Sequence, residues 1–100
     1  MNPESQTIKR IETARDIVLI RLDERRILVV SCDSTGAIGP KPVDALKVDA
    51  VTVGKFAARV ALMEILAVGA KPICLSIALC VEPVPTGRAI MKGVRRELIT

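Results

Sequence analysis

Two acidic residues occupy positions where an α/β protein can bind a metal ion. Asp33 directly follows an apolar, strand-like run at residues 27–32, and Glu64 lies inside a mostly apolar, helix-like stretch at residues 57–70. Ligands collect at the carboxyl ends of strands in α/β folds, and carboxylates are magnesium ligands. An acid on an apolar helix face needs a partner, and a divalent metal ion is one candidate. Asp33 and Glu64 are therefore the candidate metal ligands of this chain.

Each acid also has an ordinary structural use. Asp33 is suited to opening an Asx turn. Glu64 lies about 180° around the helix from Lys55 and about 140° from Arg59, so it is off the polar face. Its side chain can extend to solvent or pair with a distant cation. From the residues alone both alternatives stay open.

A glycine loop that contains a lysine begins at Asp33. The loop covers residues 33–42 and includes Gly36, Gly39 and Lys41. Glycines let backbone N–H groups approach an anion, and a lysine holds phosphate as a point charge. The loop matches neither GxxxxGK[ST] nor GxGxxG, so an ordinary surface loop with an exposed lysine is the alternative.

The elements that would position these residues follow from the hydrophobic pattern. Asp49 or Thr52 can cap a first helix that Gly69 ends, and Thr86 can cap a last helix. Residues 1–15 are predicted to be a loose polar arm or a short helix. The other predicted elements are a hairpin of strands at 17–22 and 27–32 with a turn at 23–26, a short edge strand or extended loop at 43–48, helices over about 53–68 and 87–99, and an inner strand at 72–82.

Composition narrows the class of protein. One hundred residues, half of them hydrophobic, make one domain whose core is built from Val, Ile, Leu and Ala. The net charge of +4 is scattered and Phe56 is the single aromatic residue, so neither a nucleic-acid interface nor a stacking platform is indicated. There is no histidine, no signal-peptide core and no apolar run long enough for a membrane span, and we expect a cytoplasmic protein. The sequence has three cysteines, Cys32, Cys74 and Cys80, and no two of them have CxxC spacing.

The combination of these features resembles a known family. The chain resembles the ATP-binding N-terminal domain of the aminoimidazole-ribonucleotide synthetase (AIR synthase, PurM-like) superfamily. The resemblance lies in the order of its features: an apolar strand, an acid, a glycine loop with a lysine, a helix with an internal acid, then Gly-Ala-x-Pro and a strand. The strongest stretch is residues 52–72, and residues 32–36 look like the family's strand-end Thr-Asp-Gly. Family members usually carry Asn-Asp or Ser-Asp where this chain has Met63 and Glu64. Some motifs look most like the α-ribazole kinase branch.

The resemblance implies a fold, a cofactor and a partner. It implies an α/β (α+β) domain at residues 16–100, with a four-stranded mixed sheet backed by helices that pairs across a homodimer. ATP and Mg²⁺ would lie near that interface, with Asp33 and Glu64 as magnesium-binding acids. The phosphate contacts would be Gly36, Gly39 and Lys41.

The function expected from the resemblance is the Mg-ATP-binding half of an ATP-dependent enzyme. The expected reaction class is phosphotransfer or phosphate activation, for example by a small-molecule kinase. The phosphate acceptor would be an unidentified small molecule. The family's later Gly-Gly-Asp/Glu motif and its C-terminal domain are missing, so we expect this chain to be an incomplete enzyme. The alternative is a non-catalytic dimeric α/β interaction or regulatory module, whose partner surface would be the small-residue face at residues 74–80.

Overall fold

A three-stranded antiparallel sheet lies within the first third of the chain. The computed structural model describes residues 11–14 and 17–99. Strands β1 (Ile11–Ala14), β2 (Ile17–Arg21) and β3 (Ile27–Ser31) pair in sequence order. The predicted hairpin is confirmed, with Ile17 opposite Ser31 and Arg21 opposite Ile27. Strand β1 falls within the segment predicted to be a loose arm or short helix, and the arm's other residues lie outside the described ones.

The turn between β2 and β3 is closed by an aspartate instead of a glycine. Asp23 Oδ1 accepts the backbone N–H groups of Arg25 and Arg26 over 2.9 and 2.8 Å, and Arg26 Nε donates to Asp23 Oδ2 over 2.7 Å. These donors, the Arg25 N–H first, hold the pKa of Asp23 below its ordinary value. An Asx turn thus sets the hairpin register that the sequence left undetermined.

A small parallel pair of strands follows, within and after the glycine loop. Strand β4 (Ile38–Gly39) pairs with β5 (Leu46–Lys47). Residues 43–48 were expected to be a short edge strand or an extended loop, and a two-residue strand is present there. Strand β4 was not expected because Gly36, Gly39 and the neighbouring prolines are typical of irregular structure.

Two helices complete the described chain. Helix α1 is Ala50–Ala67, and helix α2 is Arg88–Leu98, preceded by a wide helical turn at Pro83–Gly87. Asp49 caps α1, because its carboxylate accepts the N–H of Thr52 over 3.1 Å and the Thr52 hydroxyl over 2.7 Å. No helix in the described part of the chain has the length and apolar character needed to cross a membrane.

Glycine ends α1 as expected. The N–H of Gly69 donates to the Leu66 carbonyl and the N–H of Ala70 to the Ile65 carbonyl, with Gly69 at φ 79°. This pair of bonds is the Schellman arrangement, which uses a left-handed residue that glycine adopts without strain.

The core of the described chain is the crossing of α1 and α2. Gly54 and Gly93 meet there, and each lies against the backbone of the opposite helix: a Cβ added at Gly54 would lie 1.9 Å from the Ile90 carbonyl oxygen, and one added at Gly93 would lie 1.8 Å from that of Val51. The helices can approach this closely because neither glycine has a side chain. The buried residues of the crossing are Ala50, Gly54, Ala58, Ile90, Gly93 and Val94.

The predicted inner strand at residues 72–82 is not a strand in the described structure. Its residues pair with no other described strand. Two of its large apolar side chains are exposed, Ile73 at 78% and Leu79 at 38%, whereas Leu75, Ile77 and Val81 are half-buried. Within the described residues the larger sheet thus has three strands and not the four expected. Alternating hydrophobicity shows that a segment is suited to a sheet, but it does not supply the edge on which that segment pairs.

Candidate functional site

Asp33 projects from the segment between two strands. It follows β3 by two residues and is exposed. It forms no hydrogen bond or ion pair with another described residue, so the Asx turn that would explain it structurally is not present there. Its carboxylate is available to a ligand.

Glu64 carries the clearest unsatisfied group in the described structure. The residue is half-buried in α1, and its Oε2 atom is buried without a hydrogen-bond partner. Leaving a buried acceptor unsatisfied costs about 1–3 kcal/mol. Neither an extended side chain nor a pairing with a distant cation satisfies this oxygen among the described residues. A cation at this position would do so.

A hydrogen bond connects the elements that carry the two acids. Ser31 Oγ, at the end of β3, donates to the carbonyl oxygen of Ala61 over 3.2 Å. Ala61 lies one turn before Glu64 on the same side of the helix, because residues three apart are neighbours there. The strand leading to Asp33 is thus held against the part of α1 that carries Glu64.

The donor set fits a metal ion that arrives with its own ligands. Among the described residues there is no group of three or more acidic, cysteine or histidine side chains that could hold a metal. Mg²⁺ is commonly bound by only one or two carboxylates together with waters and substrate phosphates. Asp33 and Glu64 are therefore suited to magnesium held jointly with a phosphate ligand, and not to an all-protein metal cage.

Lys41, the predicted phosphate contact, is engaged in an ion pair. Its ammonium donates to Glu82 Oε1 over 2.6 Å, and both side chains are rather more than one-third exposed. Its backbone is fixed as well: the N–H of Lys41 donates to Asp44 Oδ2 over 2.9 Å, and the Lys47 ammonium donates to the carbonyl oxygens of Lys41 and Asp44.

Glu82 is a partner of Lys41 that the sequence did not reveal. Thr86, whose residue surface is only 6% exposed, donates its hydroxyl to Glu82 Oε1, and the N–H of Gly87 donates to the Glu82 carbonyl oxygen over 2.9 Å. The Lys41 ammonium first, and the Thr86 hydroxyl second, lower the pKa of Glu82 to about 2. We call these residues the Lys41 cluster: Lys41, Asp44, Lys47, Glu82 and Thr86.

The prediction that Thr86 caps α2 is wrong, because its hydroxyl is bonded to Glu82. Gly87 occupies the N-cap position of α2, and that cap has no side-chain hydrogen bond. The Thr86 hydroxyl is used by Glu82 four residues earlier. A threonine just before a helix is typical of a cap, so the sequence favoured that role. The other contact that fixes Glu82 is with Lys41, 41 residues earlier in the chain, and no local pattern reports it.

The two predicted phosphate glycines have different roles. Gly39 is buried, and a Cβ there would lie 2.7 Å from Asp44 Oδ2, so this glycine makes room for the loop's own carboxylate. Gly36 is exposed, and a Cβ there would contact nothing. Gly36 is thus the position where the backbone is open to a ligand.

The grooves on the described surface do not coincide with this site. A groove of about 540 Å³ lies beside α1 and α2 and includes Met63, Ile73 and Leu98. Another of about 430 Å³ lies beside α2 and includes Leu79 and Arg95. Neither includes Asp33, Lys41 or Glu64. Both grooves are mostly apolar, and the candidate residues lie outside them.

The described residues form a mixed α+β domain with a three-stranded antiparallel sheet, a two-stranded parallel pair and two helices. The family model described as "AIR synthase related protein, N-terminal domain" matches residues 14–99. The chain therefore belongs to the AIR synthase related family, by its N-terminal domain. No curated protein matches the chain, and no solved structure matches it.

Proposed function

We propose that this chain is the Mg-ATP-binding half of an AIR synthase-related, ATP-dependent enzyme that transfers or activates phosphate. The observation that carries the proposal is the partnerless Oε2 of Glu64, on a helix inside the family match and held against the strand that leads to Asp33. The finer assignment, a small-molecule kinase of the α-ribazole kinase branch, rests on motif resemblance alone.

The proposed roles of the residues follow from their charge and position. Asp33 and Glu64 would hold magnesium, and the backbone at Gly36 would face the phosphates. Lys41 would contact a phosphate oxygen as a point charge. A magnesium ion held by these two acids would supply positive charge that offsets the charge of the phosphate oxygens. The protein's own part is positioning, which is most of what phosphoryl transfer requires.

We further propose that the chain works as a homodimer in the cytoplasm. Residues 72–82 have a strand-like pattern, pair with no described strand and expose Ile73 and Leu79. An unpaired apolar segment of this kind is suited to pairing with the sheet of a second copy, which would supply the fourth strand. The cytoplasmic assignment is supported by three free, exposed thiols, because a reducing compartment keeps thiols unpaired: Cys32, Cys74 and Cys80.

A second candidate function is a dimeric interaction or regulatory module without nucleotide. The observation that favours it is the ion pair in which Glu82 already engages the ammonium of Lys41. Both candidates predict self-association, so dimerisation does not distinguish them. Nucleotide binding does.

The test is calorimetric titration of the chain with ATP, with and without magnesium. We expect magnesium-dependent binding that Asp33→Asn and Glu64→Gln each weaken by about tenfold, since each removes one charged contact. Glu24→Gln removes the same charge from the exposed turn between β2 and β3 and is the matched control. Binding that ignores magnesium, or that neither site variant weakens, would refute the proposed site.

A further inference from the structure

The ammonium that is proposed to bind phosphate already has an anionic partner. Lys41 Nζ lies 2.6 Å from Glu82 Oε1, the distance of a charge-assisted hydrogen bond. We infer that Glu82 competes with the phosphate for Lys41, so that nucleotide binding must open the Lys41–Glu82 ion pair. This inference rests on the proposed function and names a regulatory contact of the same site.

The carboxylate of this pair is held by more than the lysine. The buried Thr86 hydroxyl donates to the same Oε1 atom, and the Gly87 N–H donates to the Glu82 carbonyl oxygen. Glu82 is thus fixed by the helical turn that leads into α2. Without Lys41 it would still have a partner in Thr86.

The lysine side chain is the member of the pair that can move. The backbone of Lys41 is fixed by Asp44 and Lys47, whereas its four-carbon side chain is flexible and 39% exposed. Rotation of that side chain away from Glu82 leaves Glu82 bonded to Thr86 and leaves the loop intact. Opening therefore requires no change in the fold, and an anion can drive it.

Two effects of Glu82 on a phosphate ligand have opposite signs. First, Glu82 restricts the side chain of Lys41, which lowers the entropy cost of binding by the amount for one side chain, whatever the charge of the ligand. Glu82 also occupies the ammonium and repels each negative charge that approaches it, and this repulsion grows with the number of charges. For a triphosphate the second effect is the larger. Removing the carboxylate should therefore tighten binding.

The experiment measures the dissociation constant for Mg-ATP in variants of the full chain at low ionic strength. We expect Glu82→Gln to tighten binding about five- to tenfold, while the matched control Glu24→Gln changes it by less than about twofold. The gain should be at least about threefold larger with Lys41 present than in the Lys41→Met background, because competition for Lys41 ends when Lys41 is removed and a long-range charge effect does not.

A second variant separates contact from charge and covers a failure of Glu82→Gln to fold. Glu82→Asp keeps the charge but shortens the side chain by one methylene group, which withdraws it from Lys41. We expect Glu82→Asp to tighten binding as well, by less than Glu82→Gln. Circular dichroism and the melting temperature of each variant report whether the fold is retained.

The outcomes separate this inference from the function on which it rests. If the wild-type chain binds Mg-ATP and neither Glu82 variant tightens binding, competition is refuted and the nucleotide site stands. An equal gain with and without Lys41 also refutes it, since that result shows only a long-range charge effect. If no variant binds Mg-ATP, both the inference and the proposed function fail.

Discussion

Gly93→Ala tests the helix crossing on which the described core depends. The added Cβ would lie 1.8 Å from the carbonyl oxygen of Val51 and 2.9 Å from the backbone nitrogen of Lys55. A carbon–oxygen contact needs about 3.3 Å, so α1 and α2 would have to separate by roughly 1.5 Å. The three nearest atoms are all backbone atoms of α1, so no side-chain rotation relieves the overlap.

The expected effect is the difference of two terms. Overpacking a core costs about 1–3 kcal/mol, and a backbone clash belongs at the upper end of that range. Alanine instead of glycine inside a helix returns about 1 kcal/mol. We therefore expect Gly93→Ala to lower the free energy of unfolding by about 2 kcal/mol, and the melting temperature by about 10 °C.

The assay is thermal and urea unfolding followed by circular dichroism. The propensity term is measured in the same helix at the exposed neighbouring position, by comparing Lys92→Gly with Lys92→Ala. Adding this gain in stability to the loss measured for Gly93→Ala gives the cost of the clash. A Gly93→Ala protein as stable as the wild type, or more stable, would show that the helices do not cross backbone to backbone.

Three further outcomes follow from single contacts. Glu64→Met removes the partnerless buried oxygen, so it should raise the free energy of unfolding by about 1–2 kcal/mol in a chelating buffer. The same variant should not be stabilised by Mg-ATP. A loss of stability would mean that the oxygen has a partner. The lowered pKa of Glu82 means that its pairing with Lys41 stabilises the fold above the ordinary carboxyl value of 4.5 and ceases to do so as the pH falls through about 2. The melting-temperature gap between wild type and Glu82→Gln should therefore close over that range, and a gap that widens on acidification would contradict the pairing. Asp49→Ala should speed hydrogen exchange of the Thr52 amide about fivefold, whereas Asp49→Asn, which also caps, should leave it nearly unchanged.

Local chemistry made part of the fold predictable. The β2–β3 hairpin, the Asp49 cap and the Gly69 terminus depend on residues within a few positions of each other, and the sequence shows each of them directly. The pattern also placed Glu64 off the polar face of its helix, where the structure leaves one of its oxygens buried and partnerless.

Contacts between distant segments were not predictable in this way. The strand character of residues 72–82 was inferred from alternation, but the edge on which a strand pairs lies elsewhere in the fold or in another molecule. The Lys41–Glu82 pair joins residues 41 positions apart, a distance unrelated to the spacing of a helix or a strand. Neither a propensity nor a motif reports such a contact, because only the folded chain brings its two members together.

The central claim is that Asp33 and Glu64 share one metal ion with the phosphates of ATP. Crystals grown with ATP and Mn²⁺ in place of Mg²⁺ would show the metal by its anomalous scattering. We predict one peak that contacts both carboxylates, directly or through a bound water, beside the phosphates. A metal bound to neither acid, or Asp33 and Glu64 facing different clefts, would contradict it.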